Sequence, residues 1–260
     1  MLDELPLWSA PFGLELLNMI ELRKNLKVLD IGFGTGFPLI EIAQRLGKSS
    51  KVYGIDPWKP SHIRAKQKID FYGIKNIKLI MGEAEDIPLK RNTIDLIVSN
   101  NGINNVYDIE KVFKECNRIS KKGAMFIISL NLNNTFKEFY DIFRNTLNNF
   151  DKSKELENLN KHIYEKRKPV ANYIRYFSQN SFQIEHMHRK MFKMRFTDEE
   201  AFFNHTLIKI GFLPSWERLI EPKDQKKVFF EVKQSLRDKA NTLGYLEMTV
   251  PYIIISAKKK

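Results

Sequence analysis

Cysteine is nearly absent from this chain of 260 residues: Cys116 is the only one, which excludes an internal disulfide and a cysteine-based zinc cluster. Long apolar runs are absent too. The best candidates, residues 124–130 and 252–256, have the length of strands, whereas a membrane-spanning helix needs about 20 apolar residues. The first residues include Asp3 and Glu4 and no basic n-region, so no secretory signal is expected. These absences predict a cytoplasmic protein without a membrane span.

Acidic residues are outnumbered, 31 to 43, which gives a net charge of +12 and raises the question of nucleic-acid binding. Lysine outnumbers arginine 31 to 12, alongside 28 isoleucines and 21 asparagines, a composition typical of AT-rich genes. The net charge is +4 over residues 1–130 and +8 over 131–260, with short clusters at 166–168 and 258–260. We therefore expect solvated basic faces, and nucleic-acid binding stays open as an alternative.

Strand and helix patterns alternate through the first half of the chain. Candidate strands cover residues 27–31, 51–55, 77–81, 94–99 and 123–130. Candidate helices cover residues 37–47, 60–73 and 106–120, after an amphipathic helix at 11–23. Right-handed crossovers would place the strands in one parallel sheet. The predicted fold class is α/β, with a doubly wound, mostly parallel sheet.

The alternation stops after Leu130. Residues 133–180 have helical spacing of aromatic residues, which indicates a core stripe, and residues 191–196 form a strand or an ordered loop. A capping box at 197–200 predicts a helix that runs to Ile210. The last two strands are predicted at 216–220 and 247–256, with a helix at 224–243 between them. A chain of this length favours one domain, organised as a core (1–130), a helical insertion (131–210) and C-terminal strands (211–260).

The most informative segment is the apolar run 28–31 followed by three glycines, Gly32, Gly34 and Gly36. Closely spaced glycines let the chain turn tightly and let a ligand approach the backbone. A helix begins near Pro38, where a proline is tolerated. A strand, glycine loop and helix N-terminus together predict a small-molecule site at the carboxyl edge of the sheet.

The spacing of this loop differs from that of a dinucleotide site. The dinucleotide fingerprint is G-x-G-x-x-G, with the pyrophosphate at the helix N-terminus, whereas this loop reads G-x-G-x-G after Asp30. A carboxylate there would crowd a pyrophosphate but suits a ligand that carries an ammonium and a sulfonium. Asp56, after the second strand, can accept both hydroxyls of a ribose, although that acid alone fits NAD equally well.

Two further segments complete the pattern: Gly82-Glu83-Ala84-Glu85 after the third strand, and Ser99-Asn100 at the end of the fourth. Over about residues 26–130, the order and spacing of these elements resemble the class I S-adenosylmethionine (SAM) dependent methyltransferases, in the branch of the ubiquinone and menaquinone C-methyltransferases and many small-molecule enzymes. The resemblance implies a Rossmann-like sheet of seven strands, the last pair including an antiparallel one, with a helical insertion after the fifth strand that covers the substrate.

The resemblance also assigns the cofactor-binding residues. It implies that Gly32, Gly34 and Gly36 lie under the methionine and ribose of SAM, with Asp30 near the ammonium group. Asp56 would hold the ribose hydroxyls. Glu83 would accept from the adenine amino group and the Ala84 N–H would donate to the ring. Asn100 would lie near the transferred methyl and the substrate.

The acceptor is less determined. The sulfonium already activates the methyl group, so the enzyme must align a nucleophile in a dry pocket, and a base is needed only if the attacking atom is protonated. His186 and His188 are candidate bases, Tyr173 and Tyr176 are comparable ones, and no metal site is expected. Asn104 and Asn105 have two open interpretations, as turn residues or as amides that orient the substrate.

The sequence thus predicts a SAM-dependent methyltransferase that acts on a small molecule and releases S-adenosylhomocysteine, as a monomer or homodimer. Two alternatives stay open: an RNA or protein methyltransferase that uses the basic second half, and a non-catalytic SAM-binding protein. A nicotinamide-dependent dehydrogenase is disfavoured by Asp30 and the glycine spacing.

Overall fold

The computed structural model describes residues 8–260, which divide into two compact units. The first contains the described residues up to Asn131, together with Lys168–Arg189 and Tyr252–Lys260; the second contains Leu132–Arg167 and Lys190–Pro251. These boundaries differ from the single domain with an insertion at 131–210 that we expected. Residues 168–189 belong with the first unit, and the second extends well beyond residue 210.

The described residues form one sheet of seven strands. They are β1 (Lys27–Ile31), β2 (Lys51–Asp56), β3 (Ile77–Met81), β4 (Ile94–Asn100), β5 (Ser120–Asn131), β6 (Phe182–Phe196) and β7 (Leu246–Lys259). The order across the sheet is β3-β2-β1-β4-β5-β7-β6. The first five strands pair in parallel, and β7 is antiparallel to β5. The predicted mostly parallel sheet is confirmed.

Ten α-helices accompany the sheet in the described range. They are α1 (Ala10–Asn18), α2 (Leu39–Leu46), α3 (Lys59–Phe71), α4 (Ile109–Ile119), α5 (Lys137–Asn149), α6 (Ser153–Lys166), α7 (Val170–Gln179), α8 (Glu199–Asn204), α9 (Leu213–Glu217) and α10 (Pro222–Leu243). The helices predicted over 37–47, 60–73 and 106–120 correspond to α2, α3 and α4, each a little shorter than expected. Within residues 8–260, no helix combines the length and apolar character needed to cross a membrane.

Aromatic packing explains why α7 belongs to the first unit. Phe177 on α7 is fully buried, with its ring centroid 5.2 Å from that of Phe126 on β5 and 4.9 Å from that of Phe113 on α4. Phe182, at the start of β6, continues the cluster, 5.4 Å from Phe126. The predicted helical pattern over residues 133–180 includes α7, but the partners of Phe177 in the α/β core could not be deduced from spacing alone.

Two predictions about the second half are wrong. Residues 216–220 are not a strand: Trp216 is fully buried on helix α9 and its ring stacks on Phe139 with centroids 4.0 Å apart. The sixth strand is β6, of which only residues 191–196 were suggested by the sequence. The helix predicted over 197–210 ends at Asn204, and Asp198 is its cap, accepting a hydrogen bond from the Ala201 N–H at 2.7 Å.

Candidate active site

A cavity of about 550 Å³ opens at the carboxyl ends of β1, β2, β3 and β4, entirely within the first unit. That volume lies in the range of small-molecule pockets. Its walls come from the segments that follow these four strands and from the residues before α1. The lining residues are Trp8, Ser9, Ile31, Gly32, Gly34, Thr35, Ile55, Asp56, Pro57, Trp58, Ser61, Glu83, Ala84, Glu85, Asn100, Asn101, Gly102, Asn105, Val106 and Tyr107.

The glycine loop after β1 forms the floor. Gly32 has a φ of +73°, and a Cβ added to it would lie 2.9 Å from Gly102 Cα, so two loops meet backbone to backbone here. Gly34 has a φ of +53°, and a Cβ there would meet no described atom within 4 Å. Because Gly34 also lines the cavity, its bare backbone is open to a ligand.

Asp56, at the end of β2, connects this loop to the second strand. It is 7% exposed, and one carboxylate oxygen, Oδ2, accepts from the Gly34 N–H at 2.9 Å while Oδ1 accepts from the Trp58 N–H at 2.8 Å. His62 Nε2 lies 2.8 Å from the carbonyl oxygen of Asp56 and fixes the turn further. A carboxylate offers about four acceptor positions, so the two internal bonds leave Asp56 able to accept from a ligand.

Asp30 lies beneath the cavity rather than in its wall. It is fully buried, it is absent from the lining residues, and neither carboxylate oxygen has a hydrogen-bond partner within residues 8–260. Burial, and after it the negative charge of Asp56, raises the pKa of Asp30 to about 8. The backbone N–H of Leu39 lowers this pKa in part. A cation close to Asp30 would favour its ionised form.

The segment after β3 forms the opposite wall. Glu83 is exposed and Ala84 is buried, and both line the cavity, as does Glu85. Glu85 is 8% exposed, and its Oε1 accepts from the N–H groups of Tyr107 and Asp108 at 2.8 and 2.9 Å. Glu85 therefore holds the loop before α4 in place. The sequence signal for this role is a second acid two residues after Glu83.

Asn100, at the end of β4, lines the cavity with its amide already engaged. Its Nδ2 donates to the Ser9 carbonyl oxygen at 3.0 Å, and its Oδ1 accepts from the Ser129 hydroxyl at 2.7 Å. The residues before α1 are thereby attached to the sheet. The predicted position of Asn100 agrees with the lining, but the amide is committed to neighbouring protein groups.

Other predicted residues lie away from the cavity lining. His186 and His188 are exposed on the outer strand β6, with ring centroids 6.1 Å apart. Gly36 has a φ of +111° and packs against Ile40 of α2. Within the described residues, no group of three or more histidine, cysteine or carboxylate side chains could hold a metal ion.

Several lining residues were not predicted. Trp58 is 59% exposed and Tyr107 is 99% exposed, and both are among the lining residues. Ser61 Oγ is buried without a hydrogen-bond partner among residues 8–260. Exposed aromatic rings and an orphaned hydroxyl in a cavity wall are suited to contacts with a ligand that carries a flat ring and polar groups.

The charge of the lining has one sign. Asp56, Glu83 and Glu85 contribute carboxylates, and none of the lining residues in the described chain is a lysine or arginine. This contrasts with the net charge of +12 of the whole chain. The cavity is therefore built for a neutral or cationic ligand rather than for a pyrophosphate.

The chain matches known proteins over this same region. The methyltransferase domain family matches residues 22–189. Demethylmenaquinone methyltransferase from Bacillus mycoides (strain KBAB4) is 33% identical over 113 residues, 44% of this chain and 48% of that protein. The enzyme of the same name from Geobacillus stearothermophilus is 32% identical over the same shares. The chain thus spans about half the length of these curated relatives.

Solved structures extend the likeness in fold to almost the whole chain. The YcgJ protein from Bacillus subtilis has a TM-score of 0.62 at 18% identity, covering 96% of this chain and 98% of that one. Geranyl diphosphate C-methyltransferase from Streptomyces coelicolor A3(2) has a TM-score of 0.60 at 15% identity, covering 100% and 83%. Since the family match covers well over half of the sequence, this chain belongs to the methyltransferase domain family.

Proposed function

We propose that the protein is a SAM-dependent methyltransferase that acts on a small-molecule acceptor. The observation that carries the proposal is that the charged lining residues of the cavity are all acids, beside the open backbone of Gly34. SAM brings a sulfonium and an ammonium, both of which suit such a lining, whereas the pyrophosphate of NAD would meet carboxylates and no lysine or arginine side chain among the lining residues.

The ribose and methionine parts would lie along the glycine loop. Asp56 would accept from the ribose hydroxyls with the acceptor positions left after its bonds to Gly34 and Trp58. Gly32 and Gly34 would allow the ligand to approach the backbone. Asp30 would act on the ammonium end from beneath, through its charge rather than through the cavity wall, because its carboxylate is not part of the lining.

The adenine would lie between the ends of β2 and β3. Glu83 would accept from the exocyclic amino group and the Ala84 N–H would donate to the ring, as the resemblance implies. Trp58 and Tyr107, which are largely exposed at this cavity, would supply ring faces for stacking. Glu85 would act indirectly, by holding the Tyr107 loop through two N–H bonds.

When bound, SAM supplies a methyl group that its sulfonium already activates. The chain's own contribution is then to position the acceptor and to exclude water. Asn100 serves this by attaching Ser9 and the start of α1 to the sheet at the cavity edge. No histidine lines the cavity within the described chain, so a histidine base is not part of the proposed mechanism.

A small-molecule acceptor is favoured over RNA or protein for two reasons. The relatives named above are methyltransferases of demethylmenaquinone and geranyl diphosphate, which are small molecules. In the basic cluster 166–168, Arg167 is only 4% exposed, with its guanidinium carbon 5.5 Å from the centre of the Tyr140 ring and 6.0 Å from that of Phe212. Arg167 is therefore largely unavailable to a polyanion such as RNA, although it belongs to the basic cluster.

The test is transfer of labelled methyl groups from SAM to three fractions of a cell extract: low-molecular-mass metabolites, RNA and protein. The proposal predicts label in the metabolite fraction, and loss of that label with the Asp56→Ala variant. Label found in RNA or protein alone would overturn the small-molecule class. Binding of SAM without transfer to any fraction would contradict catalysis and support a SAM-binding regulator instead.

A further inference from the structure

Arg167, the residue that caps the C-terminal end of α6, is a buried arginine of the second unit. It is 4% exposed, although arginine is almost never fully buried unless it is paired. Within residues 8–260 it forms no ion pair with a carboxylate. Burial of an unpaired charge is costly, because the charge loses its hydration. Arg167 therefore needs acceptor atoms or a counter-charge.

Aromatic rings beside the guanidinium replace part of the lost hydration. The central guanidinium carbon lies 5.5 Å from the centre of the Tyr140 ring and 6.0 Å from that of the Phe212 ring. Both distances are typical of cation–π attraction. Tyr140 is 1% exposed, whereas Phe212 is half-buried. The faces of these rings offer no oxygen or nitrogen acceptor, so the N–H groups of Arg167 still need partners.

The hydrogen bonds around Arg167 leave a surplus of donors. Arg167 Nη1 donates to the Tyr140 hydroxyl oxygen at 3.3 Å, and Trp216 Nε1 donates to the same oxygen at 2.9 Å. Of these three side chains only Tyr140 has an acceptor atom, since a guanidinium and an indole only donate. The proton of the Tyr140 hydroxyl has no acceptor among residues 8–260. Buried donors that share one oxygen require a further acceptor.

Two nitrogens of Arg167 have no acceptor among residues 8–260. Nε is fully buried without a hydrogen-bond partner. Nη2 has no protein partner either but, unlike Nε, it is not fully buried, so this end of the guanidinium reaches solvent. The opening is narrow, because the whole residue is only 4% exposed. A small ligand can therefore approach Arg167 at Nη2.

The charges around Arg167 are mostly positive. The half-buried His162 on α6 has a pKa that is lowered to about 4, first by burial and then by the positive charges of Arg167, Lys166 and Arg218. Glu165 acts in the opposite direction, but its side chain is exposed. Lys166 and Arg218 are exposed as well. This environment favours a negatively charged ligand over a neutral one.

We propose that Arg167 binds the carboxylate group of a small molecule, which accepts a hydrogen bond from Nη2 and neutralises the buried charge. A carboxylate supplies the acceptor atoms that this cluster lacks, and its hydrogen bonds with a guanidinium are strengthened by charge. Its single negative charge matches the single buried cation, whereas a phosphate dianion would bring a second charge out of water. The inference goes beyond the proposed function and does not depend on it, because Arg167 and its neighbours belong to the second unit and the cofactor cavity to the first.

The experiment is an NMR titration of the isotope-labelled, full-length protein with sodium benzoate, followed through the indole N–H signals of its three tryptophans. The Trp216 N–H shares the Tyr140 oxygen with Arg167, so its signal reports on the proposed site. Trp8 and Trp58 line the cofactor cavity and report binding there. Trp8→Phe and Trp58→Phe identify their own signals, which leaves that of Trp216.

Matched ligands and variants separate a carboxylate site from other causes of a shift. Benzamide has the same ring as benzoate without the charge, and phosphate is the alternative oxyanion. Arg167→Lys keeps a positive charge but loses the guanidinium. Arg218→Gln is the control variant, because it removes an exposed charge from the same surroundings.

We expect benzoate to shift the Trp216 signal in a saturable way and to shift the other two indole signals much less. Benzamide and phosphate should produce no saturable change. Arg167→Lys should weaken benzoate binding about tenfold or more, and Arg218→Gln should change it by less than about fivefold. Bound benzoate should also raise the pKa of His162, because it offsets the charge of Arg167; the ring proton signals of His162 measure this pKa.

A Trp216 signal that does not respond to benzoate in the native protein would overturn the inference, and that outcome requires no variant to fold. Equal benzoate affinities of the native protein and folded Arg167→Lys would overturn it as well. A shift with benzamide as large as that with benzoate would show an apolar site instead. Saturable binding of phosphate without binding of benzoate would exclude the carboxylate class.

Discussion

The Gly34 N–H donates to the Asp56 carboxylate at 2.9 Å, a bond that joins the glycine loop after β1 to the end of β2. A single acid thereby shapes the loop and faces the cavity that the loop encloses. Loss of the Asp56 side chain is expected to weaken ligand binding in two ways, because a contact with the ligand is missing and because the glycine loop is less ordered.

Asp56→Ala is therefore expected to weaken SAM binding by roughly tenfold to hundredfold, the effect of about 1–3 kcal/mol for removing a buried polar partner. Calorimetric titration measures the change. Asp95→Ala is the matched control, because Asp95 accepts from the Lys27 N–H at 2.9 Å and pairs with Lys121 at 2.7 Å without lining the cavity. Equal SAM affinity in the native protein and Asp56→Ala would remove Asp56 from the site.

Asp30 predicts a specific pH dependence of stability. Its pKa is raised to about 8 in the folded protein from an ordinary value of 3.8 for an aspartate, so the folded state binds more protons than the unfolded state between those values. The free energy of unfolding contributed by this group therefore falls as pH rises from about 4 to about 8. Asp30→Asn should remove this contribution, so that the free energy of unfolding decreases less as the pH rises.

Denaturant unfolding of both proteins at pH 5 and pH 8 checks this prediction. The variant should gain stability relative to the native protein at the higher pH, by about 1–3 kcal/mol, the usual cost of an unsatisfied buried polar group. A difference between the two proteins that does not change with pH would show that Asp30 is ionised throughout.

Ligand binding should also change the protonation of Asp30. A cationic group near the carboxylate lowers its pKa, so SAM binding near pH 7 is expected to release protons. Calorimetry in buffers of different ionisation enthalpy counts those protons. Asp30→Asn should bind SAM without the release; an identical proton count in the two proteins would contradict a charge interaction between Asp30 and the ligand.

Tryptophan fluorescence should report cofactor binding through the tryptophans that line the cavity. Of the three tryptophans, Trp8 and Trp58 line the cavity, whereas Trp216 is fully buried in the second unit. We expect S-adenosylhomocysteine to change the emission, and Trp58→Phe to lose most of that change because its ring is exposed at the site. A full response in the double variant Trp8→Phe, Trp58→Phe would mean that the ligand binds elsewhere.

Glu85 is expected to act on affinity through the Tyr107 loop. Glu85→Ala leaves two N–H groups without their acceptor, which should cost about 1–3 kcal/mol of stability and weaken SAM binding. Glu85→Gln keeps one oxygen in place and should have a smaller effect on both. Thermal unfolding and SAM titration of the two variants test the order; if Glu85→Gln weakens binding as much as Glu85→Ala, the carboxylate charge is the essential property.

The sequence was sufficient to predict the fold and the cavity where one short segment contains both the structural pattern and the residues of the site. The apolar strand, the glycine loop and the acid of Asp56 are each readable from neighbouring residues, and Gly32, Gly34 and Asp56 do line one cavity. Trp216 shows the opposite case. The pattern of residues 216–220 fits a short strand. In the structure Trp216 instead lies on a helix, where its ring stacks on Phe139, a residue far away in the sequence.

The polar details of the site also depend on distant partners. Asn100 and Asn101 are adjacent and chemically identical, yet Asn100 is engaged by Ser9 and Ser129, whereas Asn101 is oriented by Asn131. No spacing rule indicates which distant residues engage each of the two amides. His186 and His188 were candidate bases because they are close in sequence. A motif of three residues does not indicate that β6 is exposed at the outer edge of the sheet.

Calorimetric titration of the native protein with SAM, S-adenosylhomocysteine and NAD distinguishes a cavity for a sulfonium cofactor from a cavity for a dinucleotide. We expect dissociation constants on the order of micromolar for both sulfur ligands, with no heat of binding from NAD. Binding of NAD in the absence of binding by either sulfur ligand would contradict this expectation and would remove the roles given to Asp30, Asp56 and Glu83.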